Sequence, residues 1–435
     1  MSTLHGYRAQ LLHFPVITSA PDKDCQHYRD GLLVTRNGKI EAIGDANQLL
    51  PKYPDLTVSH FPDGLLVPGF IDAHVHFPQT EMIASYGEQL LEWLQNYTFP
   101  TELKFADPDY SSAIADVFLR QLFRHGTTSA LVYATVHKVA TDALFQAAQA
   151  KNMLLVGGKV CMDRNSPEAL QDTAASAQRD SAALIEQWHG NDRLYYALTP
   201  RFAPTSSEAQ LAALGELAQS FPDVFIQTHL SENPNEIQWV KSLFPQHQHY
   251  LDVYDHYHMV RPRAVFGHCL HLAQSEWQRL SDSGATIAFC PTSNLFLGSG
   301  LFNLDKARDM GVHVALATDV GAGTSFSMLK TAGEAYKVCQ LQHQRLCPLQ
   351  GLYDMTMGSA AGLGLNDKIG NLNPGTDADF VILEPRYDEL LAMRICTDAA
   401  PTDMLFALSM LGDDRAIRGT WIAGQNVYQK QGIEE

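Results

Sequence analysis

Near residue 70 the chain reads Pro68–Gly69–Phe70–Ile71–Asp72–Ala73–His74–Val75–His76. Successive side chains of a β-strand point to opposite faces, so His74 and His76 project together, about 7 Å apart at the backbone, and offer two imidazoles to one metal ion. Three later stretches end an apolar run with compatible groups: Thr228–His229–Leu230–Ser231–Glu232, Phe266–Gly267–His268–Cys269 and Ala317–Thr318–Asp319–Val320–Gly321. Taken singly, each of these histidines reads as a hydrogen-bonded structural residue and the aspartate as a loop cap. Taken together they predict four histidines and an aspartate converging on one point, which requires a scaffold that brings distant strand ends to one place.

Such a scaffold is legible in the pattern of apolar, β-branched runs. Eight occur, at 64–77, 127–134, 153–163, 194–204, 224–232, 264–272, 286–294 and 313–323, each with a polar tail and separated by helical stretches such as 167–189 and 206–219. Ser206–Ser207–Glu208 is a helix-start signal followed by Leu211, Leu214 and Leu217 at helical spacing. Eight strands alternating with helices predict a (β/α)8 barrel in the α/β class, whose chemistry sits at the C-terminal strand ends. Strand-like segments 32–43 and 378–383 lie outside it, with turn signals at Asn37–Gly38, Asn373–Pro374–Gly375 and Ala423–Gly424–Gln425. They predict a small β-sandwich built from both termini, with residues 1–65 as its first part, 66–368 as the barrel and 369–435 as its second part and closing segment.

Composition excludes several classes of function. Hydrophobic residues at 45% and charged residues at 18% are globular values. A net charge of −17 disfavours a nucleic-acid backbone as partner and suits a small neutral or cationic ligand. The long charge-free run 283–304 is broken by Gly284, Pro291, Gly298 and Gly300, so it reads as strand plus loop and not as a membrane span. The first ten residues show no secretory pattern, which places the chain in the cytoplasm. Its seven scattered cysteines form neither CxxC pairs nor a disulfide framework. Val320–Gly321–Ala322–Gly323 begins like a dinucleotide loop, but Phe326 stands at the third glycine position, and the run reads as the loop after strand eight. His247, His249, His256 and His258 read as loop histidines.

The arrangement of HxH after strand one, His after strands five and six and Asp after strand eight resembles the amidohydrolase superfamily. In its mononuclear deaminase branch the resemblance implies His74, His76, His229 and Asp319 as ligands of one Zn2+ per subunit, with His268 beside the metal's water. Thr199–Pro200–Arg201–Phe202 follows strand four where a bridging lysine would stand, which favours one metal over two. Zinc brings its water's pKa toward neutrality. Asp319 is placed to take the water proton, and Glu232 to protonate a ring nitrogen and then the leaving amine, although alone Glu232 reads as a helix-start carboxylate.

Longer motifs narrow the resemblance to the guanine deaminase family: His76–Phe77–Pro78–Gln79, Leu90–Leu91–Glu92–Trp93–Leu94–Gln95–Asn96–Tyr97–Thr98–Phe99–Pro100 and Thr199–Pro200–Arg201–Phe202–Ala203–Pro204–Thr205. That implies Gln79 and Arg201 hydrogen-bonding the purine, Phe202 lining the base site, guanine as substrate and a homodimer. Phe77–Pro78 stands where the family has smaller residues, so a reshaped pocket entrance is expected. The alternatives at this stage are an amidohydrolase acting on a triazine or another aminopurine, and a metal-free scaffold.

Overall fold

The computed structural model describes residues 4–87 and 89–430. The chain begins with β1 (Leu4–His13), β2 (Gln26–Arg36), β3 (Lys39–Asp45) and β4 (Thr57–Pro68). It then enters the barrel through β5 (Phe70–His76), β6 (Thr127–Tyr133), β7 (Leu154–Gly158), β8 (Val160–Cys161), β9 (Leu194–Pro200), β10 (Phe225–Leu230), β11 (Ala264–His268), β12 (Thr286–Phe289) and β13 (His313–Leu316). It returns in β14 (Phe380–Leu383), β15 (Ile417–Ile422) and β16 (Gln425–Gln429). The barrel strands pair in parallel in sequence order, with β7 and β8 as two pieces of the third strand. Closure comes from His76 N–H to the Val320 carbonyl at 2.8 Å and Asp319 N–H to the His74 carbonyl at 2.9 Å. These two bonds set the first and last site segments edge to edge.

Every residue of β5, β6 and β9 is buried, as parallel strands covered by helices must be. Helix starts follow local capping chemistry. The Ser207 hydroxyl accepts from Gln210 N–H and starts the helix Glu208–Ser220. The stretch 167–189 is not one helix, because Thr173 and Ser176 form a reciprocal cap that starts the helix at Ala174, leaving Glu168–Leu170 as a separate 3-10 turn.

The terminal strands form a seven-stranded sheet in the order β16-β15-β14-β4-β1-β2-β3. It rolls until edge strand β3 meets the segment before β14, through the Lys39–Asp377 bridge and Ile40 N–H to the Thr376 carbonyl at 2.9 Å. Tyr7, Leu33, Phe380 and Trp421 are enclosed between the two halves. Among the described residues no helix is long and apolar enough to cross a membrane.

One correction concerns the first barrel strand. The apolar run 64–77 is two strands in different sheets, broken at Gly69: Gly69 N–H donates to the Asp379 carbonyl beside the terminal sheet, whereas Phe70 N–H donates to the Gly126 carbonyl at the start of β6. A Cβ at Gly69 would lie 2.1 Å from the Thr128 hydroxyl, so only glycine lets the chain pass there. Gly69→Ala is therefore expected to lower stability by about 1–3 kcal/mol through overpacking. A denaturant midpoint equal to wild type at unchanged slope would contradict that reading.

Candidate active site

Four ligand-type atoms meet at the C-terminal mouth of the barrel. His74 Nε2 and His76 Nε2 lie 3.3 Å apart, His76 Nε2 and His229 Nε2 3.3 Å, and Asp319 Oδ1 stands 3.3 Å from His74 Nε2 and 3.4 Å from His76 Nε2. Atoms about 2.0–2.1 Å from a common centre at tetrahedral angles are about 3.3–3.4 Å apart, so these spacings match the edges of a zinc coordination shell. Burial pushes the imidazoles toward the neutral, ligating form: His76 falls to about 3, and His229, crowded also by the other histidines, falls well below its ordinary value. Burial opposes ionisation of Asp319, but hydrogen bonding to His74 and His76 outweighs it and holds the carboxylate well below the usual range. Neutral imidazoles facing a carboxylate are the donor set zinc takes.

A second grouping, His74, His268, Cys290 and Asp319, also lies within 4.8 Å. It suits the ion less well, because Cys290 donates its S–H to the Ala288 carbonyl at 3.4 Å and burial pushes its thiol well above the ordinary value, keeping it protonated. The lysine chemistry of a two-metal centre is missing at β9, where the Thr199 hydroxyl donates to the Ala197 carbonyl. The buried Lys159 on the neighbouring strand is paired with Asp172 instead. Among the described residues, the four histidines of 247–258 contribute to no metal-type cluster.

Several contacts hold the ligands in place. His229 Nδ1 donates to the Arg201 carbonyl at 2.7 Å, leaving Nε2 to face the cluster. Asp72 joins the first and last barrel strands, accepting from His74 N–H at 3.3 Å and Thr318 N–H at 3.0 Å and also from the Thr318 hydroxyl. Tyr133 stacks on His76 with ring centroids 4.5 Å apart. Gly267 gives the His74 ring its space, since a Cβ there would sit 2.8 Å from His74 Cε1.

Beside the cluster lies a row of proton-handling groups. His268 Nε2 is 3.4 Å from Glu232 Oε2 and 3.8 Å from Asp319 Oδ2, while its Nδ1 is fixed on Asn294 Oδ1 at 2.8 Å. Burial, helped by the charge of Asp319 and opposed by a hydrogen bond from Ser299, pushes Glu232 up to about 8. At neutral pH this carboxyl carries its proton and can act as an acid. The backbone N–H of Glu232 donates to Glu236 Oε2 at 2.9 Å, which fixes the turn after β10.

The cavity above these groups is lined by Leu90, Trp93, Leu94, Phe202 and Leu297 on its apolar side and by Gln79 and Arg201 on its polar side. Gln79 Oε1 accepts from Gly321 N–H at 3.2 Å, which turns its amide NH2 away as a donor. Phe202 packs edge-on to Trp239, with centroids 6.1 Å apart. The site residues read from the sequence thus come together: His74 beneath the cavity, and His76, Gln79, Arg201, Phe202, His229, Glu232, His268 and Asp319 around it. Phe77 does not reshape the entrance; it is buried against Phe105, centroids 5.1 Å apart, and Phe118.

Sequence reasoning did not find Glu102, whose carboxylate receives Arg201, nor Asn294 and Ser299, which hold His268 and Glu232. Glu102 stands two residues past the 90–100 motif, a signal that could have been followed. Asn294 and Ser299 follow the seventh barrel strand, and residues 286–299 contain no His, Asp or Glu to mark that strand end as chemical.

Residues 65–427 match the model of the amidohydrolase family. A guanine deaminase of Escherichia coli (strain K12) is 51% identical over 402 residues, covering 92% of each chain. The solved structure of E. coli guanine deaminase superposes with a TM-score of 0.95 at 46% identity, over 99% of this chain and 100% of that one. A guanine deaminase from C. acetobutylicum, solved with guanine bound in its active site, superposes with a TM-score of 0.89 at 29% identity, over 98% of this chain and 100% of that one.

Loss of one donor from a four-ligand set removes most of its affinity, so His74→Ala, His229→Ala and Asp319→Ala are each expected to lose bound metal and activity together. Stoichiometric zinc retained by two of the three, measured by elemental analysis of purified protein, would refute the ligand assignment.

Proposed function

The chain belongs to the amidohydrolase family, and on that footing we propose that His74, His76, His229 and Asp319 hold one zinc ion per chain and that the groups around it convert guanine and water to xanthine and ammonia. The activity itself is guanine deamination. The observation that carries it is the near-full-length likeness to the E. coli guanine deaminase.

The ion, when bound, acidifies water enough to supply hydroxide near neutral pH. The chain's own residues account for the remaining steps. Glu232, kept protonated by burial, donates to a ring nitrogen beside the carbon bearing the amino group and makes that carbon more electrophilic. Oδ2 of Asp319, the oxygen turned toward His268, accepts the proton that water gives up. His268, between the two carboxyl groups, is positioned to pass that proton on. Hydroxide adds to the carbon, the exocyclic nitrogen takes the relayed proton, the carbon–nitrogen bond breaks and ammonia leaves; the added hydroxyl then returns its proton to Glu232, which leaves a carbonyl and restores the acid.

Arg201 and Gln79 orient the base. Guanine presents a carbonyl acceptor where adenine presents an amino donor, and a guanidinium has donors only. Adenine would leave those donors unpaired in a closed site, a mismatch worth roughly 10⁴-fold in discrimination. The triazine alternative has no comparable support, since the triazine hydrolase from Arthobacter aurescens is 18% identical and shares the fold alone. Cytoplasmic residence and a homodimer belong to this proposal on the family resemblance.

Following guanine loss and xanthine appearance by ultraviolet absorbance tests the activity, and turnover of adenine at a comparable rate would contradict the base reading. Glu232→Gln is expected to keep zinc and fold while losing roughly 10²–10⁴-fold in rate, because an amide cannot deliver the proton; unchanged turnover would take Glu232 out of the mechanism. Arg201→Met should depress guanine kcat/KM by roughly 10²-fold or more at unchanged zinc content. A wild-type rate in that variant would overturn the assignment of Arg201.

A further inference from the structure

Arg201 does not meet the cavity as a bare cation. Its Nη1 donates to both oxygens of Glu102, at 2.8 and 3.0 Å, with Glu102 wholly enclosed and Arg201 2% exposed. Glu102 closes the short helix Phe99–Glu102, and the guanidinium also lies over the Phe99 ring, 5.7 Å from its centroid. Among the described residues Nε and Nη2 make no hydrogen bond, and Arg201 lines the cavity. One nitrogen is therefore held by the protein and two remain for a ligand.

The pairing has a geometric and an electrostatic consequence. Holding Nη1 from the far side fixes the guanidinium plane, so the remaining donors point in a set direction. A lone guanidinium in an enclosed, poorly hydrated site would draw anions by its field, whereas one cancelled by a carboxylate offers N–H donors with little net charge. This matters for the reaction, because it replaces a guanidine-like ring segment with an imide N–H between two carbonyls. The product is therefore the stronger acid and loses a proton more readily than the substrate.

We propose that Glu102 is a positioning and specificity residue: it holds Arg201 as a neutral pair, so that the site reads a carbonyl by hydrogen bonding while disfavouring anionic purines, the ionised product included. The inference rests on Arg201 facing the base, as in the reading above.

The test compares two purines on the zinc-loaded protein at one neutral pH: hypoxanthine, which carries the carbonyl and is neutral, and urate, which is an anion. Binding is followed by calorimetry, which needs no turnover, so a chain that failed to deaminate guanine would refute the proposed activity and leave this measurement intact. Glu102→Gln keeps shape but uncovers the cation, and is expected to shift the urate-to-hypoxanthine affinity ratio toward urate by roughly tenfold or more. Glu102→Asp keeps the charge and should leave the ratio near wild type. An unchanged ratio in Glu102→Gln, or an equal shift in both variants, would overturn the proposal. If Glu102→Gln does not fold, the double variant E102Q/R201Q, which removes both charges, is expected to fold, bind zinc and restore the wild-type ratio. Failure of that variant to fold would assign Glu102 to the scaffold and overturn the proposal equally.

Discussion

Everything in this site depends on crowding four lone-pair donors, three of them buried and His229 partly exposed, to the spacing that one ion's coordination shell would have. Three imidazole nitrogens and a carboxylate oxygen at 3.3–3.4 Å from their neighbours are costly to desolvate, and the hydrogen bonds from His74 and His76 to Asp319 offset only part of that cost. The barrel meets this constraint by closing on itself at the ligands. The bonds from His76 to Val320 and from Asp319 to His74 are both its last backbone closure and the frame of the cluster. Burial then sets protonation. His76 stays neutral down to about 3, while in the unfolded chain the same group takes a proton below about 6.5. Between those values the unfolded state binds the extra proton, so this group's contribution to stability falls as pH falls.

The same dryness gives the neighbouring carboxyls opposite roles. Asp319, held by two imidazoles, remains ionised, whereas Glu232, with Ser299 as its hydrogen-bond donor and Asp319 close by, retains a proton to about 8. A base and an acid therefore flank His268 at neutral pH, and each is fixed by its surroundings rather than by its residue type. Arg201 serves both halves of the site: its carbonyl orients His229 within the histidine–aspartate cluster, and its side chain faces the cavity.

What the sequence made legible is what short-range periodicity can carry. Alternation on one strand put His74 and His76 together, and apolar runs with polar tails gave the eight barrel strands and the chemistry at their ends. The break at Gly69 was hidden because two consecutive strands in different sheets read as one apolar run, separated only by the backbone's need to pass Thr128. Glu102 and Asp72 were hidden for another reason. Their partners Arg201 and Thr318 lie 99 and 246 residues away, and a buried carboxylate has no local signature until its partner is known. One of the three motifs that carry the family resemblance covers 90–100 and stops just short of the carboxylate that accepts from Arg201, a residue of another of them.

The measurement that bears most directly on this account is X-ray absorption at the zinc edge of the zinc-loaded protein. The account predicts one zinc per chain, nitrogen and oxygen neighbours at about 2.0–2.1 Å, and the outer-shell scattering of three imidazoles. A sulfur neighbour at about 2.3 Å would place the ion on the Cys290 grouping instead, and a zinc–zinc distance of about 3.5–4 Å would mean a two-metal centre; either result contradicts it.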